Sequence, residues 1–308
     1  MTFVERLIQI IEEKQSVVCM GLDPRMDNEG EIPQYLINEL DQPDKIILEF
    51  NKILIEEVFE LIPIIKPQIA FYEKYEALNA SKETIKYAHK KDLLVILDAK
   101  RNDIGSTSEA YAYSIFNNYG ADACTINGYF GIDGVKPFLN YKDKGIFVLV
   151  KTSNPSSSEF QNLFSSKIQG ISDEVTEYKV SNQVLKRNYI LMAELVKDWA
   201  SDLQKYSNFT NLGAVVGATF PNELKTVREI TKNSFFLIPG YGAQGAQAKD
   251  IQYGFYENGL GGIVNSSRGI TYAYSKNEKF SQYDFNKAAK EVILEMNKNI
   301  NEEIGLKY

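Results

Sequence analysis

Eight short apolar runs recur along the chain, each stopped by polar or glycine-rich residues and separated from the next by helical spacing. They fall at residues 17–22, 62–66, 94–97, 123–126, 146–150, 211–217, 235–238 and 262–264. Runs of this length without polar alternation are strands buried on both faces, which is how strands of a parallel sheet read. Parallel strands need crossovers, and helical patterns supply them at 73–91, 107–118, 189–205 and 223–232, with two more across 31–61 and one at 284–299. At the N-terminus Thr2 and Glu5 form a capping-box pattern, followed by Phe3, Leu7, Ile8 and Ile11 at helical spacing. The pattern predicts a single-domain α/β protein over residues 1–308, a (β/α)8 TIM barrel. An open doubly wound sheet is the rival architecture, but no Gly-x-Gly-x-x-Gly turn follows the first strand. The spacing breaks once, after the fifth strand. Residues 152–188 are polar and rich in Ser and Asn, and read as an insertion over the barrel mouth that serves as a lid.

Bulk properties exclude several function classes. With 44% hydrophobic and 24% charged residues the composition is that of an ordinary globular chain. A net charge of −7 offers no basic field for nucleic acid. Cys19 and Cys124 both sit in apolar runs, so buried free thiols and a reducing compartment are expected. Neither a signal-peptide pattern nor a membrane-spanning run is present, and a cytoplasmic protein is predicted. The single histidine, His89, lies in a polar helical stretch and reads as a surface residue, which argues against histidine acid–base chemistry and histidine metal sites.

In a barrel the C-terminal ends of the strands converge on one mouth. The polar residues at these ends are Asp23, Lys66, Asp98, Lys100, Asn127, Thr152, Ser153, Gln244 and Arg268. Asp98 and Lys100 are two apart, so in extended chain they point to the same side. The alternative is a loop of solvated charges, which does not explain why the most apolar strand ends in an acid–base pair. The segments after the seventh and eighth strands, Pro239-Gly240-Tyr241-Gly242-Ala243-Gln244-Gly245 and Asn265-Ser266-Ser267-Arg268-Gly269, are rich in small residues. Backbone N–H groups there can approach a phosphate, with a short helix N-terminus adding its dipole. Arg268 supplies a fork that matches phosphate oxygens, and Gln244 can donate from its amide.

The stretch Asp98-Ala99-Lys100-Arg101-Asn102-Asp103-Ile104-Gly105-Ser106-Thr107 resembles the Asp-x-Lys-x-x-Asp-Ile-x-x-Thr signature of the orotidine 5'-monophosphate decarboxylases, which catalyse the last step of uridine monophosphate synthesis. The resemblance runs over most of the chain. It implies conversion of orotidine 5'-phosphate to uridine 5'-phosphate and CO2 in a homodimer with shared active sites, without metal or organic cofactor. It also implies roles. Lys66, Asp98, Lys100 and Asp103 would form an alternating Lys-Asp-Lys-Asp array, with Asp103, Ile104 and Thr107 serving the partner's site. Asp23 would bind the ribose hydroxyls, its alternative being a helix N-cap before Pro24. Thr152 and Ser153 would read the pyrimidine edge, by a group that the sequence leaves open, while Gln244 and Arg268 would hold the 5'-phosphate. Gln68 takes no role, because it differs from the residue expected near the sugar. Lys100 is the proton donor of choice, since a fixed cation beside C6 stabilises the carbanion as it forms.

Two rivals remain. A metal-dependent sugar-phosphate decarboxylase or synthase of the same barrel superfamily shares the Asp-x-Lys-x-x-Asp core, but a lysine at position 66 disfavours a cation there. A non-catalytic nucleotide-binding barrel would not need the charged array.

Overall fold

The computed structural model describes residues 1–28, 30–166, 184–242 and 244–306. Eight parallel strands close into a barrel: β1 (Val18–Leu22), β2 (Ile64–Pro67), β3 (Leu94–Arg101), β4 (Ala123–Ile126), β5 (Gly145–Lys151), β6 (Phe209–Val216), β7 (Ser234–Pro239) and β8 (Gly262–Ser266). Each pairs with its sequence neighbours, and Val18 opposite Val264 closes the ring. The apolar runs are the strands because both their faces are covered, by side chains filling the barrel and by the outer helices. Every residue of β1, β2 and β4 is buried.

The outer ring follows the helical patterns. Thr2 and Glu5 close the capping box of helix Phe3–Lys14, which buries Phe3, Val4, Leu7, Ile8 and Ile11. Helix Phe285–Ile304 returns the chain to helix Pro43–Val58, with Phe285 stacked on Phe50 at 5.3 Å between ring centroids. Where one helix is predicted over 73–91 there are two, Ile69–Lys74 and Leu78–His89. Glu76 between them has a positive φ of 53°, which ends the first helix. Helix Gly105–Tyr113 continues into a wider π turn, Ser114–Asn118. A helix absent from the sequence reading, Ile132–Leu139, crosses it, and Ser108 Oγ donates to the Gly134 carbonyl at 2.9 Å. Its internal Pro137 hides it from pattern reading.

The connection after β5 begins with a 3-10 turn, Pro155–Glu159, and a two-residue strand, Phe164–Ser165, antiparallel to Lys186–Arg187. The middle of the expected lid, residues 167–183, lies outside the described residues. Both cysteines are buried and free. His89 is on the surface, one ring nitrogen 2.8 Å from Asp122. Among the described residues no helix is long and apolar enough to cross a membrane.

Candidate active site

The ends of β2, β3, β4 and β5 enclose a cavity of about 340 Å³ at the C-terminal mouth. Its polar lining is Lys66, Asp98, Lys100, Thr125, Thr152, Ser153 and Asn154, and its floor is Leu149, Val215, Leu237 and Pro239. Asp98 is the hub. Lys66 Nζ lies 2.7 Å from Oδ2, and Lys100 Nζ 2.5 Å from Oδ1. Thr125 Oγ1 also donates to Oδ1, at 2.7 Å, and accepts from the Lys100 backbone N–H at 3.1 Å.

The convergence of Asp98 and Lys100 is not that of a regular strand. Against β4, Leu97 pairs with Cys124 and Arg101 with Ile126, so four steps on β3 face two on its neighbour. The extra residues bulge, and Lys100 takes a left-handed φ of 48°. Thr125 ties the bulge at two points, the Lys100 N–H and the Asp98 carboxylate. Sequence reading missed Thr125, although it is the one polar residue in an apolar strand.

Burial disfavours charge on both partners of the central pair, and their proximity more than compensates. For Asp98, burial pushes the carboxyl pKa up, while the two ammoniums outweigh it and hold the group well below the usual carboxylate range. For Lys66, burial works downward, yet the charges of Asp98 and Asp23 raise it above an ordinary lysine. Both members of the Lys66–Asp98 pair are therefore charged at neutral pH.

The remaining predicted residues are placed as follows. Asp23 follows β1, and no helix begins behind it, so the N-cap alternative fails. Its Oδ1 is buried without a hydrogen-bond partner among the described residues, while its carbonyl accepts from Tyr272 Oη at 2.7 Å. Gln244 is exposed on the loop after β7. Its Oε1 comes within 3.1 Å of where a Cβ would stand on Gly240, which has φ 104°, and Ser153 Cβ lies 3.4 Å from the same point. Gly240 thus lets Gln244 and Ser153 close on one spot. Arg268 is exposed at the start of the short helix Arg268–Thr271 after β8, the strand paired with β7. Gln68 turns its side chain back to the Ala70 N–H, 3.5 Å away, at the start of helix Ile69–Lys74.

Besides Asp23, Gln244 and Arg268, the three predicted residues beyond β3 also stay outside the cavity lining within one chain. Asp103 accepts from the Ile104 N–H at 2.8 Å, and Ile104 and Thr107 are exposed beside it. Among the described residues, no group of three or more His, Cys, Asp or Glu side chains is arranged to hold a metal ion.

A closed βα barrel with two lysines gripping one aspartate at its mouth has the architecture of a βα-barrel enzyme. Residues 16–283 match the family described as "Orotidine 5'-phosphate decarboxylase / HUMPS family". A relative named orotidine 5'-phosphate decarboxylase, from Petrotoga mobilis, is 37% identical over 98% of this chain and 99% of its own. The solved Leishmania donovani OMP decarboxylase is 31% identical with a TM-score of 0.73, covering 97% of this chain and 99% of that one. The Leishmania donovani UMP synthase is 33% identical with a TM-score of 0.73; 97% of this chain is covered, and it spans 57% of that longer protein. The chain belongs to the orotidine 5'-phosphate decarboxylase / HUMPS family.

Proposed function

We propose that the chain converts orotidine 5'-phosphate to uridine 5'-phosphate and CO2 in pyrimidine biosynthesis, with no metal or organic cofactor. The observation that carries the mechanism is the unequal exposure of the two lysines on Asp98: 6% for the Lys66 side chain and 44% for Lys100. Lys66 is a fixed counter-charge. Lys100 reaches into the cavity and can exchange Asp98 for a substrate atom.

The substrate carboxylate sits beside Asp98, where two like charges about 4 Å apart repel by roughly 4 kcal/mol at an effective dielectric near 20. The C6–carboxylate bond breaks, CO2 leaves, and the electron pair stays on C6. The Lys100 ammonium stabilises that pair and gives it a proton, which water then restores to the amine. Repulsion is a minor share of the roughly 8–23 kcal/mol by which enzymes lower barriers. The preorganised array and binding energy from the remote phosphate supply the rest.

Asp23, with its unpartnered carboxylate oxygen, takes the ribose hydroxyls. Gln244 and Arg268, on loops after adjacent strands, take the phosphate. Of the two hydroxyl residues after β5, Thr152 is committed: its Oγ1 donates to Asn154 Oδ1 at 2.7 Å and accepts from Gln161 Nε2 at 2.8 Å. Ser153 is left to read the pyrimidine. Residues 1–308 act as one catalytic domain, with an insertion in the connection after β5.

A homodimer completes the site. In its own chain Asp103 accepts from the Ile104 N–H and does not line the cavity. Around that loop lies an exposed apolar surface of Ile104, Tyr129, Phe130 and Phe160, with Tyr129 in ring contact with both phenylalanines. Covering it with a second copy would bring Asp103, Ile104 and Thr107 to the neighbour's mouth. The metal-dependent reading fares worse, because the Lys66 ammonium already stands against Asp98 where a cation would bind. An ultraviolet assay of orotidine 5'-phosphate with purified protein in EDTA tests the proposal. Turnover is expected; folded protein that yields no uridine 5'-phosphate on long incubation overturns it.

A further inference from the structure

Lys151 ends β5 and is wholly enclosed, at 0% exposure. Its Nζ donates to Ser157 Oγ at 2.8 Å and to Asn162 Oδ1 at 3.2 Å, and stands 4.2 Å from the centre of the Phe220 ring. Among the described residues no carboxylate forms an ion pair with it. Burial lowers its pKa, Glu223 partly offsets this, and Arg187 adds to it. An apolar side chain would fill such a place at lower cost, so a buried ammonium with only neutral acceptors calls for a reason.

The reason lies in what it holds. Ser157 and Asn162 belong to the turn that opens the connection after β5, and the same turn carries Gln161. Gln161 grips Thr152 twice: Oε1 accepts from the Thr152 N–H at 3.0 Å, and Nε2 donates to Thr152 Oγ1 at 2.8 Å. The Gln161 backbone is fixed as well, its N–H on the Ser157 carbonyl at 2.9 Å and its carbonyl accepting from Tyr189 N at 3.0 Å. Thr152, Ser153 and Asn154 line the cavity and hang from this frame. Ser153 has little room to drift: its Cα lies 2.9 Å from where a Cβ on Gly217 would stand, and its carbonyl accepts from Thr219 Oγ1 at 3.4 Å.

We propose that Lys151 and Gln161 are positioning residues for base recognition: they latch the first turn of the connection onto Thr152 and so hold Ser153 against the pyrimidine. This rests on the reading of the site given above. Neither residue touches substrate. Both act through Thr152, so they affect the base end of the ligand and leave the phosphate end alone.

The test uses Gln161→Ala and Lys151→Met in the full chain, with dissociation constants for uridine 5'-phosphate and for ribose 5-phosphate, which lacks the base, measured by calorimetric titration. Loss of the latch bonds is expected to weaken uridine 5'-phosphate by about 10-fold or more and ribose 5-phosphate by less than about twofold. Equal weakening of both ligands would mean general loosening and overturn the proposal, as would unchanged binding of uridine 5'-phosphate. If Lys151→Met does not fold, Gln161→Ala, at a half-buried position, decides alone. Wild type that binds no uridine 5'-phosphate overturns the reading of the site and the latch with it. Wild type that binds it, with variants that match, overturns the latch alone.

Discussion

Lys66 and Asp98 form a buried ion pair across adjacent strands, 2.7 Å from ammonium to carboxylate oxygen, with both side chains less than a tenth exposed. Removing one partner of such a pair strands the other charge, at a cost of about 3–5 kcal/mol. Asp98→Asn is therefore expected to lower unfolding free energy by that amount at pH 7 and to abolish turnover. The pH dependence has a definite sign. The Asp98 pKa is depressed in the folded protein, so its contribution is complete above the unfolded value of about 3.9 and is lost as pH falls below it. The Lys66 pKa is raised, so its contribution is complete below about 10.4 and is lost only as pH climbs beyond that. Urea unfolding across pH should show a wild-type-to-variant gap that is level from about pH 5 to 9 and narrows below about pH 4. A gap that persists undiminished into strong acid would contradict the assignment.

Thr125 is the second point of leverage. Its hydroxyl ties Asp98 Oδ1 to the backbone of Lys100, the residue with the left-handed φ. Thr125→Val keeps the shape but removes one hydrogen bond from the half-buried Lys100 N–H and one of the two on Asp98 Oδ1, a loss of about 1–3 kcal/mol. Because Thr125 touches the charged centre and not the phosphate loops, kcat should fall by about one to two orders of magnitude with KM little changed. Steady-state kinetics decide it: an unaltered kcat would show that Lys100 holds its place without the tether.

The barrel was legible because burial on both faces leaves strands no polar alternation, and all eight runs are strands. Their ends were harder. Residues 98–101 extend β3 through a bulge that no periodicity announces, since the slip exists only relative to β4. Lys66, Asp98, Lys100, Thr152 and Ser153 stand out in the sequence because polar residues at apolar strand ends are conspicuous, and they line one cavity. Thr125 and Lys151 were not singled out, as their importance lies in partners distant along the chain or in neutral acceptors. Buried Arg228 is a similar case: its guanidinium donates to the carbonyls of Thr231, Ser234, Gly254 and Gly261, none of which sequence patterns reveal.

Arg268 is expected to act on chemistry from a distance. It lies beyond β8, outside the lining of the cavity that holds Lys100, so a contact with the phosphate would serve the transition state through the rigidity of the bound nucleotide. Arg268→Ala should reduce transition-state stabilisation by about 2–5 kcal/mol, the range for truncating one member of a desolvated charge pair. Both kcat and KM should worsen. An unchanged kcat/KM would remove Arg268 from the phosphate site.

The shared site makes the most specific claim. Within one chain Asp103 points its carboxylate at its own Ile104 N–H, three residues past Lys100, and the cavity lining does not include it. If a two-fold partner supplies it, Lys100→Ala and Asp103→Ala each damage every site of their own homodimer, and both should be nearly inactive. Mixed and allowed to exchange subunits, they form heterodimers in which one site carries both lesions and the other carries none, because Lys100 acts in its own subunit and Asp103 in its neighbour's. Each heterodimer should then show about half the wild-type activity, one intact site of two. Exchange is verified independently by mass-tagged subunits. A mixture that exchanges fully yet stays as inactive as its parents would place Asp103 in its own chain's chemistry or in none.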